Sequence, residues 1–394
     1  MAASPSPDLF LDIDWVCRAK RDQPVAGDTV VVRRVPAEGR LVCVLADGLG
    51  SGIKASVLAT LTATMAAGHT VAGRDVRRSA ELIARTLPVC SVRHIGYSTF
   101  TVADIADDGR ARLVNSGNPR TVLVRGGEPE LYPAEEIDLG PERSLRAAEI
   151  HLTEGDRLVL TSDGVTQAGM GRADMPFGWG VDGLRRWLGD ELAQEPGMPA
   201  RTLAQRVVTA AGDIDAGRAI DDTTCCVVHL RRPRRLTVIT GPPYDQTRDA
   251  EIAGLVENAP GSVVVCGGTT ADIIGRELHR RVGILQRSGD ADVPPMAEIP
   301  GVELVTEGMI TMSACLRLLE AGPPWPPGRD NGAIRLAELL LGSDLIEFVV
   351  GTRINAAHQD PTLPVDLGIR RNLIRELVRV LRERYARQVA VRFL

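Results

Sequence analysis

The sequence predicts two domains of different class: an α/β/β/α sandwich over residues 1–232, then a smaller α/β domain with a mainly parallel sheet over residues 233–394. Three observations carry this. Short β-branched runs separated by tight-turn residues fill the first part, and helical patterns interrupt them twice, each time as a pair. Beyond residue 236, strands and helices alternate one for one, which is the mark of parallel pairing. At 394 residues the chain also exceeds what one core usually organises.

In the first domain the strand-like runs are residues 30–35, 41–46, 99–105, 111–115, 121–124, 157–162 and 223–230. Hairpin chemistry separates several of them: Pro36-Ala37-Glu38-Gly39, Asp107-Asp108-Gly109 and Gly126-Gly127. Apolar periodicity predicts helices over 52–67 and 76–87, and again over 181–192 and 200–211. Charge and a proline follow at 231–235, Arg-Arg-Pro-Arg-Arg, just where a strand pattern stops, so the boundary belongs there. The second domain reads as strand 236–240, helix 249–257, strand 263–266, helix 271–281, strand 302–306, helix 310–319, strand 347–350 and a final helix 367–385. That last helix sets Leu373, Ile374, Leu377, Val380 and Leu381 on one face and arginines on the other, a face for its own core or for a homodimer.

Composition narrows the function. Hydrophobic residues at 44% and charged residues at 25% describe an ordinary globular chain. No apolar run nears the 18 or so residues of a membrane span, and residues 1–11 lack the basic start and apolar stretch of a signal peptide, so no membrane and a cytoplasmic location are expected. The seven cysteines are odd in number and mostly sit in apolar strands, as at Cys43, Cys225 and Cys266, which predicts reduced core residues. There is no Cys-x-x-Cys pair and no histidine cluster at zinc spacing. A net charge of −5 exerts no general pull on nucleic acid, and neither basic stretch is interleaved with aromatics.

The chemistry concentrates in aspartates at strand ends. Asp28 and Asp47 lie equally far from the turn at Ala37 and Glu38, so a symmetric hairpin sets their carboxylates face to face, about 5 Å apart. Like charges so placed repel, and a divalent cation between them turns the penalty into binding energy; hard oxygen donors favour Mg²⁺ or Mn²⁺. Asp163-Gly164 follows the run 157–162, and Asp221-Asp222 precedes the run 223–230, so four acidic corners can converge. Gly48, Gly50 and Gly52 allow a tight turn after Asp47 that exposes backbone carbonyls.

In family order, the stretches AGDTVVV, LADGLGSGIKAS, NSGNP, LTEGDRLVLTSDGVTQA, FGWG and DDTTCCVV resemble the type 2C, or PPM, metal-dependent protein phosphatases, and within them the bacterial SpoIIE-type branch. The resemblance covers about residues 27–230 and implies the sandwich fold, two Mn²⁺ or Mg²⁺ ions, and hydrolysis of phosphoserine or phosphothreonine in a bacterial signalling protein. Carried over by position, Asp47 bridges both ions, Asp28 and the Gly48 carbonyl serve one, and Asp163 and Asp221 serve the other, with Asp222 beside them at the metal site. Water shared by the ions is then the nucleophile, and no covalent enzyme intermediate is needed. Relatives of this branch commonly act on phosphorylated anti-sigma-factor antagonists, which makes such a protein the expected partner. Two positions depart from the family pattern: Ser51 stands where many members have histidine, leaving the leaving-group acid unassigned, and Gln167 stands where an acidic residue often follows the second Asp-Gly.

In the second domain Gly267, Gly268, Thr269 and Thr270 join a buried-type strand to a helix, where free N–H groups favour an anion. If the strands ending near Cys266, Thr306 and Val350 are parallel, Glu307 and Arg353 share that sheet edge with them. The alternative to an enzyme is therefore a phosphatase-fold sensor or scaffold whose C-terminal domain binds a small anionic ligand.

Overall fold

The structure is a computed structural model, and the residues it describes are 9–86, 98–140, 144–284, 292–323, 325, 331–353 and 365–394. The chain divides into two units, Met1–Arg232 and Pro233–Leu394.

Unit 1 runs β1 (Phe10–Arg18), β2 (Asp28–Val35), β3 (Arg40–Gly48), α1 (Gly52–Val71), α2 (Val76–Thr86), β4 (Ser98–Ala106), β5 (Arg110–Ser116), β6 (Val122–Arg125), β7 (Glu128–Glu130), β8 (Glu135–Asp138), β9 (Ser144–His151), β10 (Arg157–Thr161), α3 (Asp163–Thr166), α4 (Gly180–Gln194), α5 (Ala200–Ile214) and β11 (Thr223–Arg231). These strands form two antiparallel sheets, ordered β2-β3-β4-β5-β9-β8 and β1-β11-β10-β6-β7. Leu41, Cys43 and Leu45 of the first sheet meet Leu158, Leu160, Cys226 and Val228 of the second in a core between them. Alternation along β3 sends Val42, Val44 and Ala46 outward, against the alanines Ala59, Ala63, Ala66 and Ala67 of α1. On the other side α4 and α5 press Leu184, Leu188, Leu203 and Val207 onto Val159 and Val227. The result is the four-layer α/β/β/α arrangement expected.

Four strands, β1, β7, β8 and β9, exceed what the apolar runs indicated. β1 alternates strictly, with Leu11 and Ile13 buried in the sandwich core and Asp12 on the opposite face held by Arg231 at 2.9 Å. The buried ion pair hides a strand that reads as polar in the linear text.

Unit 2 runs β12 (Arg235–Thr240), α6 (Asp249–Asn258), β13 (Ser262–Cys266), α7 (Gly268–Glu277), β14 (Gly283–Ile284), β15 (Ala297–Glu298), β16 (Leu304–Thr306), α8 (Met309–Ala321), α9 (Gly332–Gly342), β17 (Leu345–Val350), α10 (Val365–Tyr385) and β18 (Gln388–Phe393). Its sheet order is β14-β15-β16-β13-β12-β17-β18, and the five strands from β16 to β18 are parallel. Taken along the chain, those five are ordered third, second, first, fourth, fifth, which is a doubly wound sheet. Helices α6 and α7 cover one face through Ile252 and Ile274, while α8, α9 and α10 cover the other through Met312, Leu336 and Leu377. All five apolar residues singled out on the final helix are buried in this second core. Helix α9 and strands β14, β15 and β18 lie outside the elements the sequence predicts.

Five of the six described cysteines are buried, and Cys17, at the end of β1, is exposed. Among the described residues no helix is long and apolar enough to cross a membrane.

Candidate metal centre

The β2–β3 hairpin turns through Pro36–Glu38 and closes on Gly39, whose left-handed φ of 56° lets its N–H reach the Pro36 carbonyl. That turn length fixes the register from Val35 opposite Arg40 down to Asp28 opposite Asp47. In the other sheet β10 pairs antiparallel with β11, so the residues after Thr161 and before Thr223 lie at one end. Asp163 there opens α3, and Asp221 precedes β11. Gly27 N, just before Asp28, donates to Asp222 Oδ2 at 2.7 Å and so joins the acidic ends of the two strand pairs, and the charges of Asp28, Asp163 and Asp221 all act on Asp47.

Two glycines allow that closeness. A Cβ on Gly48 would stand 2.1 Å from the Ala55 carbonyl oxygen, and one on Gly164 would stand 2.1 Å from that of Asp222. A side chain at Gly48 would push the end of β3 away from α1, and one at Gly164 would push the Asp163 segment away from Asp222.

Electrostatics at the rim are unfavourable as they stand. Burial, followed by the charges of Asp28, Asp163 and Asp221, pushes the Asp47 carboxyl up to about 9. Burial likewise raises Asp28 to about 6, against the easing influence of Thr224 and Ser162. Asp163 is also raised, by burial and then by the charge of Asp221. Asp28 is 6% exposed, and neither of its oxygens has a hydrogen-bond partner at good geometry; the hydroxyls of Thr224 and Ser162 lie near enough to ease its charge without completing a bond. Asp163 Oδ1 has no partner either, while its Oδ2 accepts a 2.8 Å bond from Gln167 Nε2. The residue in place of the acidic one thus steadies Asp163.

Among the described residues no group of three or more His, Cys, Asp or Glu side chains is arranged to hold a metal ion as it stands. The donor set nevertheless fits a hard divalent cation: it is all oxygen, acidic, largely buried, and has unpartnered atoms on two of its members. Asp222 behaves differently from the other four. Its Oδ1 accepts from Lys20 N at 2.9 Å and its Oδ2 from Gly27 N at 2.7 Å, so it braces the end of β1 and the start of β2 behind the acids.

Sequence reasoning missed Lys20. Its Nζ donates to the Gly50 carbonyl at 2.9 Å and lies 3.3 Å from Asp221 Oδ1. The residue falls just past β1, the strand whose aspartates disguised it, so nothing in the text marked it as part of the rim.

The residues singled out in unit 2 lie along the carboxyl edge of the parallel strands. Gly267 and Gly268 follow β13, Glu307 follows its neighbour β16, and Arg353 follows β17, with β12 between β13 and β17. Gly267 has φ 135°, and Gly308 packs against it. Glu307 Oε2 accepts from Ile310 N at 3.0 Å, capping α8. Arg353 N donates to the Pro242 carbonyl, and with the Gln246 amide oxygen turned toward it, its guanidinium donates at 2.7 and 3.1 Å. Thr269 lies exposed in the first turn of α7, and the Thr270 hydroxyl is buried without a partner.

Residues 37–231 match the family model for Stage II sporulation protein E (SpoIIE). No curated protein matches the chain. Among solved structures, the phosphatase domain of SpoIIE from Bacillus subtilis is 18% identical, with 58% of this chain and 95% of that one covered and a TM-score of 0.43. The PP2C phosphatase domain of the same protein with a fragment of its regulatory domain is 19% identical, covering 57% and 64%, at a TM-score of 0.46. The RsbU and RsbW domains of a Mycobacterium tuberculosis protein are 18% identical, covering 64% and 68%, at a TM-score of 0.46. The matched stretch contains Asp47, Asp163 and Asp221 and lies within unit 1, which carries a domain matching the SpoIIE family.

Proposed function

We propose that unit 1 hydrolyses phosphoserine and phosphothreonine esters on a protein, with two Mg²⁺ or Mn²⁺ ions held by Asp28, Asp47, the Gly48 carbonyl, Asp163 and Asp221. One observation supports this above the rest: Asp28 and Asp47 face each other across a hairpin, both with raised carboxyl pKa values, and Asp28 keeps both oxygens unpartnered. Without an ion a proton on Asp47 relieves the repulsion of such a pair; a divalent cation between them would displace that proton and turn the repulsion into binding energy.

When bound, the ions supply an acidified water and offset charge on the phosphoryl oxygens. The protein's part is placement. Asp47, on which the charges of the other three act, would help to hold both ions. Gln167 holds Asp163 by one oxygen and leaves the other free. Asp222 fixes the backbone at Lys20 and Gly27, and through Gly27 the start of β2 and the height of Asp28.

The substrate this reading favours is a phosphorylated bacterial signalling protein of the anti-sigma-factor-antagonist kind. The test is release of phosphate from 4-nitrophenyl phosphate and from phosphoserine peptides, with Mn²⁺ or in excess chelator. Asp47→Asn should fold and lose at least about a hundredfold in turnover, since even residues behind a metal ligand cost about 10–100-fold when removed. Undiminished turnover in chelator would overturn the two-ion mechanism. Comparing phosphorylated proteins in wild-type and Asp47→Asn cells would identify the substrate.

A further inference from the structure

Among the described residues, Lys20 brings a cation of the chain's own to the acidic rim. Lys20 reaches into it from the end of β1, with a side chain only 19% exposed, and its ammonium lies between Asp221 Oδ1 at 3.3 Å and the Gly50 carbonyl at 2.9 Å. Its position is fixed from behind, because its backbone N–H is bonded to Asp222, whose other oxygen holds Gly27. Asp222 N in turn donates to Asp221 Oδ1, the same oxygen the ammonium approaches. Lys20 is thus seated by the machinery that seats the acids, and it ties the rim to the turn between Asp47 and α1.

We propose that Lys20 is an internal counter-cation that contends with a divalent ion for Asp221, and so sets the affinity and order of ion loading at this site. The proposal rests on the phosphatase reading above. An ammonium and a divalent cation on one carboxylate repel strongly in a partly buried setting, so Asp221 serves one fully only when the other withdraws. Withdrawal of Lys20 also releases the Gly50 carbonyl, and with it the turn that carries the Gly48 carbonyl. Ion occupancy at the Asp221 corner and the conformation of the 48–51 turn are therefore linked through one side chain. A lysine suits this task better than an arginine, since its compact charge on a flexible stem lets go without breaking a two-pronged contact.

The test is Mn²⁺ binding to the full chain, followed by calorimetry and by the paramagnetic signal of free Mn²⁺. Lys20→Met should tighten the weaker of the two binding steps by about tenfold, a change of sign that loss of a merely structural contact would not give. In chelator the same variant should melt below the wild type, because Asp221 and the Gly50 carbonyl lose their partner; in saturating Mn²⁺ the two should melt together. Lys20→Gln, which keeps a hydrogen-bond donor without the charge, should also tighten binding and serves if the methionine variant folds poorly. In an Asp221→Asn background Lys20→Met should lower the chelator melting point by less than it does in the wild type, the remainder being the lost Gly50 contact. Unchanged or weakened Mn²⁺ binding in both lysine variants overturns the proposal. A wild-type chain that binds no Mn²⁺ overturns the phosphatase reading instead.

Discussion

The two units place chemistry-bearing residues at strand ends in the same way, yet leave the charged ones in opposite states. At the rim of unit 1, Asp28 and Asp163 keep oxygens without partners, and Asp28, Asp47 and Asp163 all have raised carboxyl pKa values. At the carboxyl edge of unit 2, Glu307 is engaged with the first N–H groups of α8, and Arg353 with Gln246 and Pro242. A strand end rich in Asp, Gly and Thr serves equally as a turn, a cap or a ligand set. What separates these uses is whether the surrounding chain satisfies the polar atoms or leaves them for something else.

The contrast is sharpest in turnover. Asp221→Asn should cost at least about a hundredfold in phosphate release, in line with the 10–100-fold cost of disturbing even the outer partners of metal ligands, whereas Glu307→Gln should leave it within about twofold. Comparable losses from the two would erase the distinction between rim and edge. Stability separates the two regions next. Asp222→Ala strands the buried Gly27 N–H and the Lys20 N–H, and should lower unfolding free energy by about 2–3 kcal/mol in urea titrations. Glu307→Ala removes a helix cap and should cost about 1 kcal/mol in the same experiment.

The smallest effect is a matter of sign. Because the folded chain raises the Asp47 carboxyl from 3.8 to about 9, it binds a proton there that the unfolded chain releases. The associated stability is fully present below about pH 4 and is lost as the pH climbs toward 9. In chelator Asp47→Asn should therefore melt a few degrees above the wild type at pH 8, with the gap closing toward pH 4. No unit 2 variant considered above should show such a crossover, and a gap that failed to narrow on acidification would mean that Asp47 is not held against its charge.

Much of this was legible in the linear text. The symmetric spacing of Asp28 and Asp47 about Ala37 and Glu38 anticipated their opposition because a two-stranded antiparallel hairpin has only one register per turn length. The alternation after residue 236 anticipated the parallel sheet of unit 2 for a similar reason, since each crossover needs its helix. What escaped was whatever depends on partners distant in sequence. Strand β1 carries Asp12, which reads as surface until Arg231, on another strand, is seen to neutralise it. Lys20 lies about two hundred positions from the Asp221 it touches, and no periodicity joins them. The acceptor role of Asp222 toward Lys20 and Gly27 likewise arises only when the two ends of the domain meet.

The four-residue bend at Pro36–Gly39 has a reach beyond its own neighbourhood. It lies at the opposite end of β2 from Asp28, some 25 Å away at about 3.3 Å per residue, and makes no contact with the acids. Yet lengthening it by a single residue would slide one strand past the other and send every side chain of β3, Asp47 included, to the other side of the sheet. Natural variation in this domain should therefore be as intolerant of insertions at that remote corner as of substitutions among the aspartates themselves.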